Sequence, residues 1–136
     1  MRIYLDSSAV IKRVIAEQAS DELVATIDEH ESAGDLLVSS SLAWIEITRA
    51  LHARANRKPA TAIALADDAL SGVAEQAISA EVVSLARRLN PSSLRSLDAI
   101  HLASALLLDV HQLITYDDRL IAACRANGVN TLSPGR

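Results

Sequence analysis

The chain has 136 residues, with 13 Lys and Arg against 17 Asp and Glu, a formal net charge of −4; half of its residues are hydrophobic and 22% are charged. That profile excludes an intrinsically disordered chain and fits a single domain over residues 1–136, large enough to bury a sizeable core without staples. Phe is absent and Tyr4, Trp44 and Tyr116 are the only aromatics, which disfavours a base-stacking module. The acidic balance argues against a broad basic patch for nucleic acid. It leaves room for a nucleic-acid enzyme whose acidic site is neutralised by metal ions.

Cys124 is the single cysteine, so no intrachain disulfide is expected and a reducing cytoplasm is the default location. Arg2, Asp6, Lys12 and Arg13 interrupt any signal-peptide core, and no apolar run approaches the length of a membrane span.

In chain order, Arg2 to Leu5 predict a short strand ending at Asp6. Ser7 and Ser8 then lead into a helical pattern through Val14 and Ile15. Ala19 to Ala33 continues helically, closed by Gly34, and Leu36 to Val38 reads as a second buried strand. Ser39, Ser40 and Ser41 offer N-cap oxygens to a helix reaching about Asn56, whose apolar stripe is Leu42, Trp44, Ile45, Ile47 and Leu51. Pro59 suits the first turn of a helix carrying Ile63, Leu65, Ala66 and Leu70. Val73 to Ile78 is a weak strand candidate, Glu81 to Leu89 is helical, and Asn90 to Ser93 breaks it. Ser96 is a cap candidate for a helix over Leu97 to Leu108, apolar on most sides and therefore central. Gln112 to Thr115 predicts a strand, Arg119 to Ala126 a helix, and Val129 to Leu132 a last edge strand. Short apolar strands alternating with amphipathic helices indicate an α/β sandwich with a mainly parallel sheet. In such folds, sites form beyond the carboxyl ends of the strands.

Most acids, such as Asp21, Glu22, Asp28, Glu29 and Glu31, belong on solvated helix faces. Four sit differently. Asp6 ends the first strand, Asp117 follows the Leu-Ile-Thr strand, Glu46 lies among Trp44, Ile45 and Ile47, and Asp98 stands in the first turn of the most apolar helix. Each has a plain structural explanation: Asp6 or Asp98 as a charge at a helix N-terminus, Glu46 paired with Arg49 or Arg54, Asp117 as a turn residue. Four such coincidences on one rim are harder to accept, and clustered carboxylates are costly unless a cation neutralises them. Oxygen-only ligands favour Mg²⁺ or Mn²⁺, and His30, His52, His101 and His111 show no zinc spacing. His101 reads as packing or support beside Asp98, and Cys124 as a small core residue. Such an ion serves phosphodiester chemistry without a Ser-His-Asp triad or a phosphate-cradling glycine loop. Setting the four acids aside from the 17 leaves 13, matching the 13 bases, so a polyanionic substrate would meet no net repulsion.

Four segments carry a resemblance. They are Tyr-Leu-Asp6-Ser-Ser-Ala-Val-Ile-Lys, Glu46 within Trp-Ile-Glu-Ile-Thr-Arg-Ala, Leu-Asp98-Ala-Ile-His-Leu-Ala, and Leu-Ile-Thr-Tyr-Asp117-Asp-Arg-Leu. In order and spacing, from residue 3 to about 126, the chain resembles PIN-domain proteins, and more closely VapC-type toxins of bacterial toxin–antitoxin pairs. The resemblance implies a PIN-like three-layer α/β/α sandwich and a Mg²⁺-dependent endoribonuclease. It makes Asp6 and Asp98 candidates for direct metal ligands, with Glu46 and Asp117 completing the site, directly or through water. Asp118 adjoins Asp117 and is the alternative fourth acid. Ser8 and Thr115 match positions where the family places small polar residues that support the acids. The resemblance also implies a cognate VapB-like antitoxin that covers the site, and a homodimer. Val10-Ile11, Val14-Ile15 and Trp44 to Leu51 offer either a groove for such a segment or internal core.

Candidates for RNA-backbone contacts are Lys12, Arg13, Arg49, Arg54, Arg57, Lys58 and Arg95, with Arg95 favoured because it lies three residues before Asp98. Competing classes fare worse. Asp-nucleophile phosphotransferases need a second acid where Ser8 stands, and phospho-receiver domains need a late Lys, whereas Lys12 and Lys58 are the only lysines. The remaining alternative is a catalytically silent PIN-like module acting through a protein partner.

Overall fold

The computed structural model describes residues 1–136, with the side chain of residue 55 set aside. Strands β1 (Arg2–Leu5), β2 (Leu36–Ser40), β3 (Val73–Gln76), β4 (Gln112–Ile114) and β5 (Thr131–Leu132) form one sheet in the order β3-β2-β1-β4-β5. Every adjacent pair is parallel. Seven helices connect the strands: α1 (Ser7–Val10), α2 (Ser20–Ser32), α3 (Ser41–Ala53), α4 (Pro59–Ala69), α5 (Ala80–Ala86), α6 (Ser96–Leu107) and α7 (Asp118–Ala126).

The period-2 alternation of the strands distributes two cores over the two faces of the sheet. Ile3, Leu5, Leu37 and Ile114 pack with α1 to α4, through Val10, Leu23, Ile27, Ile47 and Leu51. Tyr4, Val38 and Leu113 point the other way and pack with Leu102 and Ala105 of α6 and Leu120, Ala123 and Cys124 of α7. The result is the three-layer α/β/α sandwich expected, with β1 at its centre. From β1 the chain passes to β2 on one side, whereas β4 lies on the other. The carboxyl ends of β1 and β4 therefore flank the topological switch point, where open α/β sheets place their sites. No helix among the described residues is long and apolar enough to cross a membrane.

Several expectations need correction. The helix after Asp6 does not run to Ile15. It makes one α-turn and a 3-10 turn (Ile11–Arg13), and the chain turns again at Ala19, which is left-handed with φ of 68°. The β-branched Val14 and Ile15 do not prolong it and instead pack sideways on the core. Ser96 is the first residue of α6 rather than its cap, a place held by Arg95 with no side-chain bond. Ile45 and Ile63 leave the apolar stripes assigned to them and are 58% and 51% exposed. Alanines are the reason in α4, where Ala62, Ala66 and Ala69 form the buried face and let α3 approach closely. The weak strand is confined to Val73–Gln76 because Ala77 and Ile78 pass beyond the end of β2. Gly34, at φ of 77°, turns the chain from α2 into β2 as expected.

Candidate active site

The site begins where β1 ends. Asp6 is the N-cap of α1: its Oδ1 accepts the Ala9 amide at 3.1 Å and the Ser8 hydroxyl at 2.7 Å. Its Oδ2 accepts the Thr115 hydroxyl at 2.6 Å, which ties the end of β1 to the end of β4. Thr115 Oγ1 in turn accepts the Asp117 amide, and Ser8 Oγ accepts the Tyr116 amide, both at 3.0 Å. Ser8 and Thr115 thus both donate hydrogen bonds to Asp6. Asp6 is 5% exposed. Burial pushes its carboxyl above the ordinary value, against the opposing pull of His101, Thr115, Ser8 and the Ala9 amide.

Glu46 projects from α3 and pairs with neither Arg49 nor Arg54; Arg54 reaches Glu17 instead. Its Oε1 accepts the Ser7 hydroxyl at 2.5 Å and faces His101 Nε2 of α6 at 2.6 Å. Burial would raise this carboxyl, but the hydrogen bond and charge of His101, together with Ser7, hold it below the ordinary value. Both bonds use Oε1, so Oε2 stands outside them. Asp117 has the same asymmetry: as N-cap of α7, its Oδ1 receives the Arg119 and Leu120 amides, and Oδ2 takes no part in the cap.

Asp98, in the first turn of α6, connects the set electrostatically. Burial raises its carboxyl, and the charges of Asp117, Asp6 and Glu46 raise it further, with His101 opposing. Thr115 links Asp6 to Asp117 and His101 links Glu46 to the helix of Asp98, so the four sequence candidates come from the caps of α1 and α7 and from α3 and α6 to the carboxyl end of the sheet. Asp6, Asp98 and Asp117 form no ion pair with Lys or Arg among the described residues. Asp118 is engaged elsewhere, accepting from Arg136 at 2.5 Å. As the side chains lie, no three of His, Cys, Asp or Glu close on a single metal-sized point among the described residues.

The basic candidates divide. Arg95 is exposed at the start of α6, three residues before Asp98, and makes no ion pair among the described residues. Lys12 lies 4.4 Å above the Tyr116 ring and bonds Glu17 and the Gln18 carbonyl. Arg49 lines an open groove with Trp44, Ile45, Thr48, Ile63 and Asp67. Arg13 is committed to the fold, donating to the Ala69 and Ser71 carbonyls at 2.8 Å. Sequence reasoning passed over Ser7, whose signal was its place beside the capping Asp6. It also passed over Tyr4, which looks like any apolar residue of a buried strand.

Residues 3–126 match the PIN domain family profile. Ribonuclease VapC47 of Mycobacterium tuberculosis (strain CDC 1551 / Oshkosh) is 36% identical over 135 residues, covering 98% of this chain and 97% of its own length. Ribonuclease VapC46 of Mycobacterium tuberculosis (strain ATCC 25618 / H37Rv) is 38% identical over 134 residues, covering 97% of each. Among solved structures, VapBC2 from Rickettsia felis, bound to a promoter DNA fragment, superposes with a TM-score of 0.76 at 14% identity, over 97% of this chain and 98% of that one. Mycobacterium tuberculosis VapC20 superposes with a TM-score of 0.68 at 16% identity, over 89% and 94%. The two structures share the fold, and the sequence relatives align over nearly the whole chain. The chain belongs to the PIN-domain family and, within it, to the VapC ribonucleases.

Proposed function

We propose that this chain, as one PIN-like domain, is a Mg²⁺-dependent endoribonuclease and the toxin of a toxin–antitoxin pair, working in the cytoplasm. The observation that carries the reading is the placement of Asp6, Glu46, Asp98 and Asp117 around the carboxyl end of the sheet, with no Lys or Arg pairing any of them among the described residues. Clustered carboxylates are costly without a cation, and an all-oxygen donor set suits a hard one. The names of the sequence relatives supply the substrate class.

Asp6 and Asp98 would hold Mg²⁺, or Mn²⁺ in its place, with Glu46 and Asp117 completing the set directly or through water. When bound, the ion lowers the pKa of a coordinated water and stabilises charge on the scissile phosphate. The remaining work falls to the chain. Thr115 and Ser8 fix the Asp6 carboxylate at the strand end, and the α7 amides fix Asp117. Ser7 and His101 keep Glu46 anionic with Oε2 turned away from their bonds. Arg95, Lys12 and Arg49 would contact RNA phosphates, whereas Arg13 would support α4.

A cognate VapB-like antitoxin would cover the groove of about 350 Å³ between α3 and α4, where Ile45 and Ile63 are exposed beside Trp44. A homodimer would use part of the same apolar surface. Induced expression is expected to arrest growth, and Asp6→Asn or Asp98→Asn to relieve it at equal protein level. Equal arrest by both variants would overturn the reading.

A further inference from the structure

A buried polar relay runs through the core behind the site. Tyr4 is fully buried in β1, on the face that otherwise packs Val38, Leu102, Leu113 and Leu120. Its hydroxyl lies 2.7 Å from His101 Nδ1, with the two rings edge-on at 78°. The same oxygen accepts the Ser40 amide at 3.2 Å. Ser40 caps α3 through the Leu42 amide, so Tyr4 touches the start of the helix that carries Glu46. His101, 3% exposed, spans from Tyr4 to Glu46 Oε1 at 2.6 Å and so crosses the carboxyl edge of the sheet between its two helical layers.

Apolar side chains of similar size would pack this face without desolvating a phenol and an imidazole. A carboxylate can only accept, so Nε2 must carry the proton toward Glu46. A flip of the ring would break the bond between Nδ1 and the Tyr4 hydroxyl, so that bond opposes rotation of Nε2 away from Glu46. We propose that Tyr4 and His101 are positioning residues, Tyr4 acting through His101, that hold Glu46 in one orientation with Oε2 presented to the site.

This inference rests on the metal-dependent reading above, and the test separates the two. Mn²⁺ binding to the full chain is measured by calorimetry, alongside RNA cleavage and a melting curve for each variant. Loss of a hydrogen-bond partner of a ligating carboxylate typically weakens metal binding about 10- to 100-fold, and His101→Leu is expected to fall in that range. Tyr4→Phe is expected to weaken binding less, in the same direction. His101→Gln, which keeps an N–H toward Glu46, is expected to recover most of the loss. In a Glu46→Gln background, His101→Leu is expected to cause no further loss, because the two act as one unit. Tyr4→Phe, which keeps the ring volume, carries the same cycle if His101→Leu does not fold. Equal losses in both backgrounds, or wild-type Mn²⁺ affinity in His101→Leu, would overturn the relay and leave the ribonuclease reading standing. A wild-type chain that neither binds Mn²⁺ nor cleaves RNA would overturn the reading itself, and the relay with it.

Discussion

The Thr115 hydroxyl lies 2.6 Å from Asp6 Oδ2, and through that bond the ends of β1 and β4 are joined at the point where the strand order reverses. Thr115 is fully buried and also accepts the Asp117 amide. Thr115→Val keeps the shape, but removes a donor from a buried carboxylate and an acceptor from the amide of Asp117. An unfolding free energy lower by about 2 kcal/mol is expected, read from urea denaturation, with Thr115→Ser retaining most of it.

Asp98 gives the opposite sign. Its carboxyl sits above the ordinary value in the folded chain, so the folded state binds more protons than the unfolded one between the two values. Metal-free stability therefore falls as pH rises through that window. Asp98→Asn removes the repulsion and is expected to raise the melting temperature at neutral pH. Solvent screening of this half-buried group limits the gain, and relief of about 1 kcal/mol corresponds to roughly 4 °C in a chain of this size. The advantage over wild type should shrink as pH falls and disappear only well below the ordinary Asp value of about 3.9, where the carboxyl is protonated in both states. Scanning calorimetry of both proteins from about pH 2.5 to pH 8, without divalent ions, checks this.

Adding Mg²⁺ or Mn²⁺ reverses the comparison. A ligand that binds only the folded state at about 100 times its dissociation constant stabilises by about 2.7 kcal/mol. Millimolar Mn²⁺ is expected to raise the wild-type melting temperature and leave that of Asp98→Asn nearly unchanged. An equal rise in both would remove Asp98 from the binding set.

The α3–α4 contact is built on small residues. Ala66 is fully buried, while Ile63 on the same helix is 51% exposed. Ala66→Leu would force methylenes into a closed contact and is expected to cost about 1–3 kcal/mol. Ile63→Ser is expected to change stability by less than about 0.5 kcal/mol, since its side chain already faces solvent. Equilibrium unfolding of the two variants tests the assignment of faces.

These residues also mark how far the sequence could be read. The central strands were legible because Ile3 to Leu5, Leu37-Val38 and Leu113-Ile114 are short apolar runs bounded by turn residues. The four acids stood out because each interrupts an apolar context. The buried face of α4 was not legible: ranking by hydrophobicity selects Ile63, whereas geometry selects the alanines that admit a neighbouring helix. Nor was the role of Tyr4, because strand periodicity says that a side chain is buried but not which polar atom meets its hydroxyl 97 residues away. The end of the first helix escaped for a similar reason. Val14 and Ile15 continue the apolar pattern, while the backbone has already turned.

The central claim, a metal-dependent ribonuclease built on Asp98 and its neighbouring acids, is tested most directly by incubating the purified chain with total RNA. The arms are Mg²⁺, EDTA, and Mg²⁺ with Asp98→Asn. The account predicts discrete fragments in the first arm alone. Cleavage that persists in EDTA, or at the wild-type rate in Asp98→Asn, would contradict it.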